Sequence, residues 1–361
     1  MRPQLTNPQD LHVLFRKQFE LCQVKQGETI VCLSDLSTRI EYVQAAFSVA
    51  RIMGADIYEM RTNAVPSWTR VGIETVGACK GTVEALEAAD LLVCFHVPLF
   101  TRWLKKVRDA QTRVLMIVDH PDDLAAHMST PAVKEATIYG SQRLREAKTM
   151  KVTNDSGTEF SADITEFDSF HQYGFADEPG HFDHWGAGHL YTFPSEGSAQ
   201  GVVVIQPGDL IALPYNRFVT ETIHLEIHDG FIREIVGDGL DARMMRNWLD
   251  NNRTSPADMD GYAISHIGWG TNPYCRWDNM ALNGDDNDRN NGNGRGFAGN
   301  FLFSTGPNTQ GGGTRHTTGH YDVPMIECSV YLDDDIVIDH GRFADQQMEA
   351  PVEERDYLHS I

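Results

Sequence analysis

Apolar and polar positions follow two different rhythms along this chain, one before about residue 148 and another after it. Residues 28–35 (Glu-Thr-Ile-Val-Cys-Leu-Ser-Asp) are an apolar run with polar ends, which predicts a short buried strand. From 39 to 54 apolar residues recur at helical spacing (Ile40, Val43, Ala46, Phe47, Ala50), and Gly54 marks the stop. Residues 55–60 predict the next strand. The order then repeats with a helix near 81–88, a strand at 91–95, a helix near 100–110 and a strand at 114–118. Strands alternating with helices imply a parallel α/β sheet. No G-x-G-x-x-G follows the first strand, which argues against a dinucleotide site.

A helix over about 130–150 leads into the second rhythm. Here short alternating runs flank turn residues: Lys151-Val-Thr before Asn154-Asp-Ser-Gly157, Glu226-Ile-His before Asp229-Gly230, and Val330-Tyr-Leu before Asp333-Asp-Asp335. Such clusters predict hairpins. A helix at 240–251 interrupts them. The expected fold class is therefore α/β, with an N-terminal parallel α/β domain (1–148) and a C-terminal α+β domain rich in antiparallel strands (149–361) that carries the catalytic machinery. No internal repeat is visible.

Composition narrows the class without choosing a fold. The 361 residues, 41% hydrophobic and 22% charged, suit a soluble globular protein able to bury a large core. A formal net charge of −21 argues against nucleic acid or an anionic membrane as partner. The N-terminus lacks the apolar core of a signal peptide, and no window approaches the roughly 18 apolar residues of a membrane span. Six cysteines without a C-x-x-C pair read as reduced thiols, and cytoplasm is the expected location.

The candidate chemistry lies between residues 261 and 325. His320 and Asp322 stand two apart in a segment, Tyr-Asp-Val-Pro-Met-Ile-Glu-Cys-Ser-Val-Tyr, that reads as a strand. Side chains at i and i+2 of a strand share a face, so a His and an Asp are presented side by side. His266, in Ser-His-Ile-Gly-Trp-Gly (265–270), would complete a face of two histidines and one carboxylate, the set associated with non-haem Fe(II) and open coordination positions. A partly buried His bonded to an Asp is the plainer reading of the same pair. A second cluster, Asp-Glu-Pro-Gly-His-Phe-Asp-His-Trp (177–185) with His189 and Glu196 beyond it, is either an anchored surface loop or an aromatic-lined pocket whose His and Glu move protons. His96 and His120 follow strands of the first domain, where ligands bind in parallel sheets and where loop capping is also common. The Asn- and Gly-rich stretch 283–296 fails the calcium-loop spacing: counted from Asp286, the sixth place is Asn291 and the twelfth Phe297. It is expected to be a surface or lid loop. No G-x-S-x-G elbow supports a serine hydrolase.

Four stretches carry a resemblance: Tyr-Gly-Phe-Ala-Asp-Glu-Pro-Gly (173–180), Asp-His-Trp (183–185), Ser-His-Ile-Gly-Trp-Gly (265–270) and Gly-Asn-Phe-Leu-Phe-Ser-Thr-Gly-Pro-Asn-Thr (299–309). In these the chain resembles the 2,5-dihydroxypyridine 5,6-dioxygenases, mononuclear Fe(II) enzymes of nicotinate catabolism built on a metalloaminopeptidase-like fold. The resemblance covers most of the chain and is densest from Tyr173 onward. It implies Fe(II) held by His266, Ser304, His320 and Asp322, with His184 at the substrate as the catalytic proton carrier. Its substrate-side positions map to Gln172, His96 and Glu196. It further implies an N-heteroaromatic small molecule and O2 as reactants, ring opening to N-formylmaleamate, and self-association into a homo-oligomer. Two departures touch the substrate end: Gln172 stands where the family has Glu, and Phe100 aligns with a family His, His96 lying four residues earlier. An aminopeptidase or amidase on the same scaffold is the alternative and would need a second metal with more carboxylates. A non-catalytic binding protein would leave the His-x-Asp face unexplained.

Overall fold

The computed structural model describes residues 8–63, 71–278 and 292–353. Its first layer is a parallel sheet. Strands β1 (Thr29–Ser34), β2 (Asp56–Arg61), β3 (Leu91–Cys94) and β4 (Arg113–Met116) run in the order β2-β1-β3-β4, all parallel. Alternate residues of β1 face opposite cores. Ile30 and Cys32 join helices α1 (Pro8–Leu21) and α2 (Ile40–Met53), whereas Val31 and Leu33 meet α3 (Thr82–Glu87) and α4 (Arg102–Asp109). A sheet covered on both faces explains why its strands read as continuous apolar runs. Helix α1 was not among the expected elements, although Leu11, Leu14, Phe15 and Phe19 repeat at helical spacing and are buried against α2.

Two helices, α5 (Pro121–Ala126) and α6 (Pro131–Glu146), each with Pro in the first turn and a capping side chain, lead to the antiparallel layers. Strands β5 (Thr149–Thr153) and β6 (Glu159–Asp163) form the expected first hairpin. Three short strands follow: β7 (Phe170–Gln172), β8 (Phe182–His184) and β9 (His189–Thr192). After them come β10 (Gln200–Ile205), a two-residue ladder of β11 (Leu210–Ile211) with β12 (Arg217–Phe218), and the hairpin β13 (Ile223–His228)–β14 (Phe231–Val236). Helix α7 (Leu240–Asn251) precedes β15 (Ile264–Gly270), the short helix α8 (Gly292–Gly296) and β16 (Phe301–Thr305). Strands β17 (Tyr321–Met325), β18 (Ser329–Leu332), β19 (Asp335–Asp339) and β20 (Arg342–Phe343) close the chain.

These strands build an eight-stranded sheet, β14-β13-β10-β6-β5-β18-β19-β20, and a five-stranded one, β17-β16-β15-β9-β7. The sheets share a core in which the Phe160 ring lies 6.4 Å from Phe301 and 6.2 Å from Phe303.

Two features depart from the sequence-based expectation. The segment expected as one strand from Tyr321 is two, because Glu327 takes φ +58° and turns the chain from the five-stranded to the eight-stranded sheet. And β8 leaves the second half of the chain to pair in parallel with β4, making a fifth strand of the first sheet, with Met116 opposite His184. Of the stretch 283–296, only 292–296 falls within the described residues, so the lid reading of the remainder lies outside them.

Candidate metal centre

The five-stranded sheet has one apolar and one chemical face, set by strand alternation. Leu190, Ile267, Trp269, Phe303, Tyr321 and Val323 point into the core shared with the larger sheet. The intervening residues point the other way, and the register aligns them: Gln172 opposite His189, Gly268 opposite Tyr191, and Ser304 opposite Asp322. Cross-strand partners put their side chains on the same side. His266 and Asp322 therefore share this face, with His320 one step before β17.

His266, His320 and Asp322 converge here, their ligand atoms all within 4.8 Å of one another, and all three are buried. Nε2 of each imidazole lies 3.1 Å from Oδ1 of Asp322. The Nδ1 of His320 sits 2.6 Å from the carbonyl oxygen of Thr305. A carbonyl only accepts, so Nδ1 carries the proton and Nε2 presents a lone pair. His320 Nε2 and Asp322 Oδ1 have no hydrogen-bond partner, although both are buried. Lone pairs facing each other inside a protein are unfavourable unless a proton or a cation lies between them. Two imidazoles and a carboxylate gathered in this way fit a divalent ion.

Electrostatics agree with that geometry. Burial alone would raise the Asp322 carboxyl, but His320 and His266 beside it hold it well below the ordinary carboxylate range. Burial pushes the His266 imidazole down, opposed by Asp322 and aided by His320 and Arg295. Ser304 is fully buried and its hydroxyl donates to the His266 carbonyl at 2.7 Å, tying β16 to β15 beside the triad. A donating hydroxyl keeps its oxygen lone pairs free.

Arg295 is a residue of this site that pattern reading missed. It comes from α8, and its Nη1 lies 3.1 Å from Oδ2 of Asp322. Asn300 clamps α8 in place, accepting from Gly270 N at 2.7 Å and donating to the carbonyl oxygens of Gly294 and Arg295 at 2.6 and 3.1 Å. Gly270 makes the approach possible, since a Cβ there would lie 2.3 Å from the Phe297 oxygen. His189 is buried on the same face, and burial together with Arg295, His184 and His266 drives its ring well below the usual histidine range.

The remaining expected positions are distributed. His184 ends β8 with Nε2 3.3 Å from Asp119. Gln172 is buried across from His189. His96 packs beside Cys94 and Trp103 past the end of β3, and burial lowers it to about 4. Phe100, four residues on, is the one that meets the triad: its ring lies edge-on to His320 at 5.1 Å. Glu196 accepts from Asn308 at 2.8 Å and lies 3.6 Å from Arg315, bracing the loop after β16. His120 caps α5, accepting from the Asp122 amide.

Comparisons with known proteins agree on one family. The family model for 2,5-dihydroxypyridine 5,6-dioxygenase matches residues 10–345. A 2,5-dihydroxypyridine 5,6-dioxygenase of Pseudomonas putida strain KT2440 is 35% identical over 336 residues, covering 90% of this chain and 93% of that protein. The solved structure of the 2,5-dihydroxypyridine dioxygenase from the same strain superposes with a TM-score of 0.90 at 34% identity, covering 95% of this chain and all of that one. AmpT from Thermus thermophilus superposes at 0.58 with 14% identity over 93% of this chain and 99% of its own, a likeness of fold alone. This chain is an enzyme that belongs to the 2,5-dihydroxypyridine 5,6-dioxygenase family.

Proposed function

We propose that this enzyme binds Fe(II) through His266, His320 and Asp322, with Ser304 as a fourth ligand, and cleaves the ring of 2,5-dihydroxypyridine, or of a closely related hydroxylated N-heteroaromatic, with O2. N-formylmaleamate is the product expected from 2,5-dihydroxypyridine. The observation that carries this reading is the meeting of two imidazole nitrogens and one carboxylate oxygen, among which His320 Nε2 and Asp322 Oδ1 are buried without a hydrogen-bond partner. When bound, ferrous iron supplies adjacent open positions and the one-electron chemistry that O2 requires.

The chain's own residues supply the rest. Arg295 occupies Oδ2 of Asp322 and so reserves Oδ1 for the ion. Phe100, Phe193 and Tyr191 wall the His320 and His266 rings, excluding water from the ligands. Gln172 offers a hydrogen bond to substrate but cannot act as a base. His184 takes the proton of a ring hydroxyl and returns one as the ring opens. Holding both reactants at one point converts a slow encounter into a local reaction.

Hydrolysis by a metal pair is the competing reading, and it needs further carboxylates. Among the described residues the triad is the one group able to hold an ion, and Glu196 is engaged with Asn308 and Arg315. This favours a single ion. A domain boundary near residue 148 belongs to the same proposal, with β8 crossing it to join the first sheet. Cytoplasmic location and self-association complete the proposal, without nucleic acid or membrane as partner. All six cysteines are free, and among the described residues no helix is long and apolar enough to cross a membrane.

Anaerobic reconstitution tests this reading. The metal-free protein is loaded with Fe(II) or Zn(II), 2,5-dihydroxypyridine is added, and air is then admitted. Oxygen uptake with loss of the ring's ultraviolet band in the iron sample alone is the expected result. Peptide hydrolysis with zinc and no oxygen uptake would sink it.

A further inference from the structure

Outside the triad, two buried imidazoles share one carboxylate oxygen. Nε2 of His184 lies 3.3 Å from Oδ2 of Asp119, and Nε2 of His127 lies 3.5 Å from the same atom. All three side chains are fully or almost fully buried. Asp119 follows β4, and His184 ends the parallel neighbour β8, so the pair meets at the carboxyl ends of adjacent strands. That is where ligands collect in parallel sheets.

A carboxylate this deep is costly unless cations or donors surround it. Burial alone would raise it, yet His184, His127 and Arg295 bring it below the ordinary range, so it stays an anion. Other groups face this spot. From α2, Tyr42 donates to the Asp119 carbonyl at 2.6 Å, and Asp123 of α5 acts on the same hydroxyl. From β9, His189 feels the charge of His184.

The two nitrogens of an imidazole diverge, so a ring that turns Nε2 to Asp119 leaves Nδ1 for whatever lies on the other side. We infer that Asp119 is the positioning residue for His184: it receives the Nε2 proton, fixes the tautomer, and leaves Nδ1 with its lone pair toward the substrate. When a ring hydroxyl gives its proton to Nδ1, His184 becomes an imidazolium, and the Asp119 charge stabilises it. His127 approaches the same Oδ2 of the carboxylate. This inference rests on the reading of His184 as the proton carrier and adds the residue through which it works. The arrangement uses a buried acid to choose one nitrogen of a histidine, as second partners of catalytic and metal-bound histidines commonly do.

The test joins nitrogen NMR to a pH profile. In the zinc-loaded full chain carrying 15N-histidine, with the signal assigned by its loss in His184→Gln, wild-type His184 is expected as the Nε2–H tautomer. In the iron-loaded enzyme, Asp119→Asn should lower kcat by about 10- to 100-fold. It should also move the acid limb of the profile down by about one unit, because an anion beside the imidazole is lost. Iron content should not change. His127→Leu should move the limb the opposite way, since the carboxylate then turns its whole charge to His184, and it serves should Asp119→Asn fail to fold. An Nδ1–H tautomer in the wild type, or a limb unmoved by either substitution, overturns the inference. If the wild type consumes no hydroxypyridine while His184 still shows an Asp119-dependent Nε2–H signal, the functional reading fails and the positioning of His184 stands.

Discussion

Arg295 and Asp322 form a buried ion pair in which Nη1 meets Oδ2 at 3.1 Å, while Oδ1 of the same carboxylate faces both histidines. One carboxylate thus has its two oxygens assigned to different tasks. Removing the guanidinium should let the carboxylate rotate. Arg295→Leu is expected to weaken iron binding by about 10- to 100-fold, the usual range for an outer partner of a ligand. Competition against a chelator of known affinity measures it, and unchanged affinity would show that Arg295 does not anchor Asp322.

The ligands themselves should separate by type. His320→Ala removes a nitrogen whose position is fixed by the Thr305 carbonyl and should leave the purified protein with about a tenth of the iron or less. Ser304→Ala removes a neutral hydroxyl that also bonds the His266 carbonyl. Its expected cost is about 1 kcal/mol of stability and roughly tenfold in iron affinity. Metal analysis beside urea unfolding distinguishes the two. Full iron content in His320→Ala would refute the ligand set.

Gly270 is the contact through which α8 reaches the sheet. A Cβ there would press on the Phe297 carbonyl at 2.3 Å, and the obstacle is main chain rather than a movable side chain. Gly270→Ala should therefore cost about 1–3 kcal/mol in urea unfolding, as overpacking of a filled interior does. It should also weaken iron binding, by displacing Arg295. A variant as stable as wild type would mean that α8 yields freely.

Acid should destabilise the fold through His96. Its folded value is about 4, depressed chiefly by burial and only partly offset by Asp35. An unfolded histidine titrates near 6.5, so the unfolded chain takes up the proton first as pH falls. Stability is then complete above about 6.5 and is lost progressively down to about 4, by on the order of 3 kcal/mol from this group. Urea midpoints taken from pH 7.5 to 4 should fall in the wild type and fall less in His96→Phe. Parallel profiles would exclude His96 as the source.

The pattern of the chain made most of this architecture legible, for identifiable reasons. The strands of the parallel sheet are buried on both faces and so read as unbroken apolar runs, and the hairpins at 154–157, 229–230 and 333–335 carry the turn residues their backbones need. The His320-x-Asp322 pair is readable because β17 and the residue just before it supply both. What stayed hidden depended on distant partners. The strand β8 has three residues and no apolar signature, and only its pairing with β4 makes it a strand. Arg295 sits in a stretch of Asn and Gly whose composition suggests a loop, and Asn300 with Gly270 turns it toward Asp322. Asp119 stands next to His120, a helix cap, and its own role shows only when His184 arrives from 65 residues away.

The crossing of β8 has a consequence for how such an enzyme can change. His184 is a rung of the sheet built by the first half of the chain, in register with Met116, while His266, Ser304 and Asp322 belong to a sheet built wholly by the second half. A chimera that exchanged residues 1–148 for those of a relative would keep every ligand, yet it would seat its own imidazole on a foreign sheet and beside a foreign acid. Metal affinity would be inherited intact and proton transfer would not. Recombination within this family should therefore yield proteins that load iron normally and turn over poorly until β4 and β8 have adapted to one another.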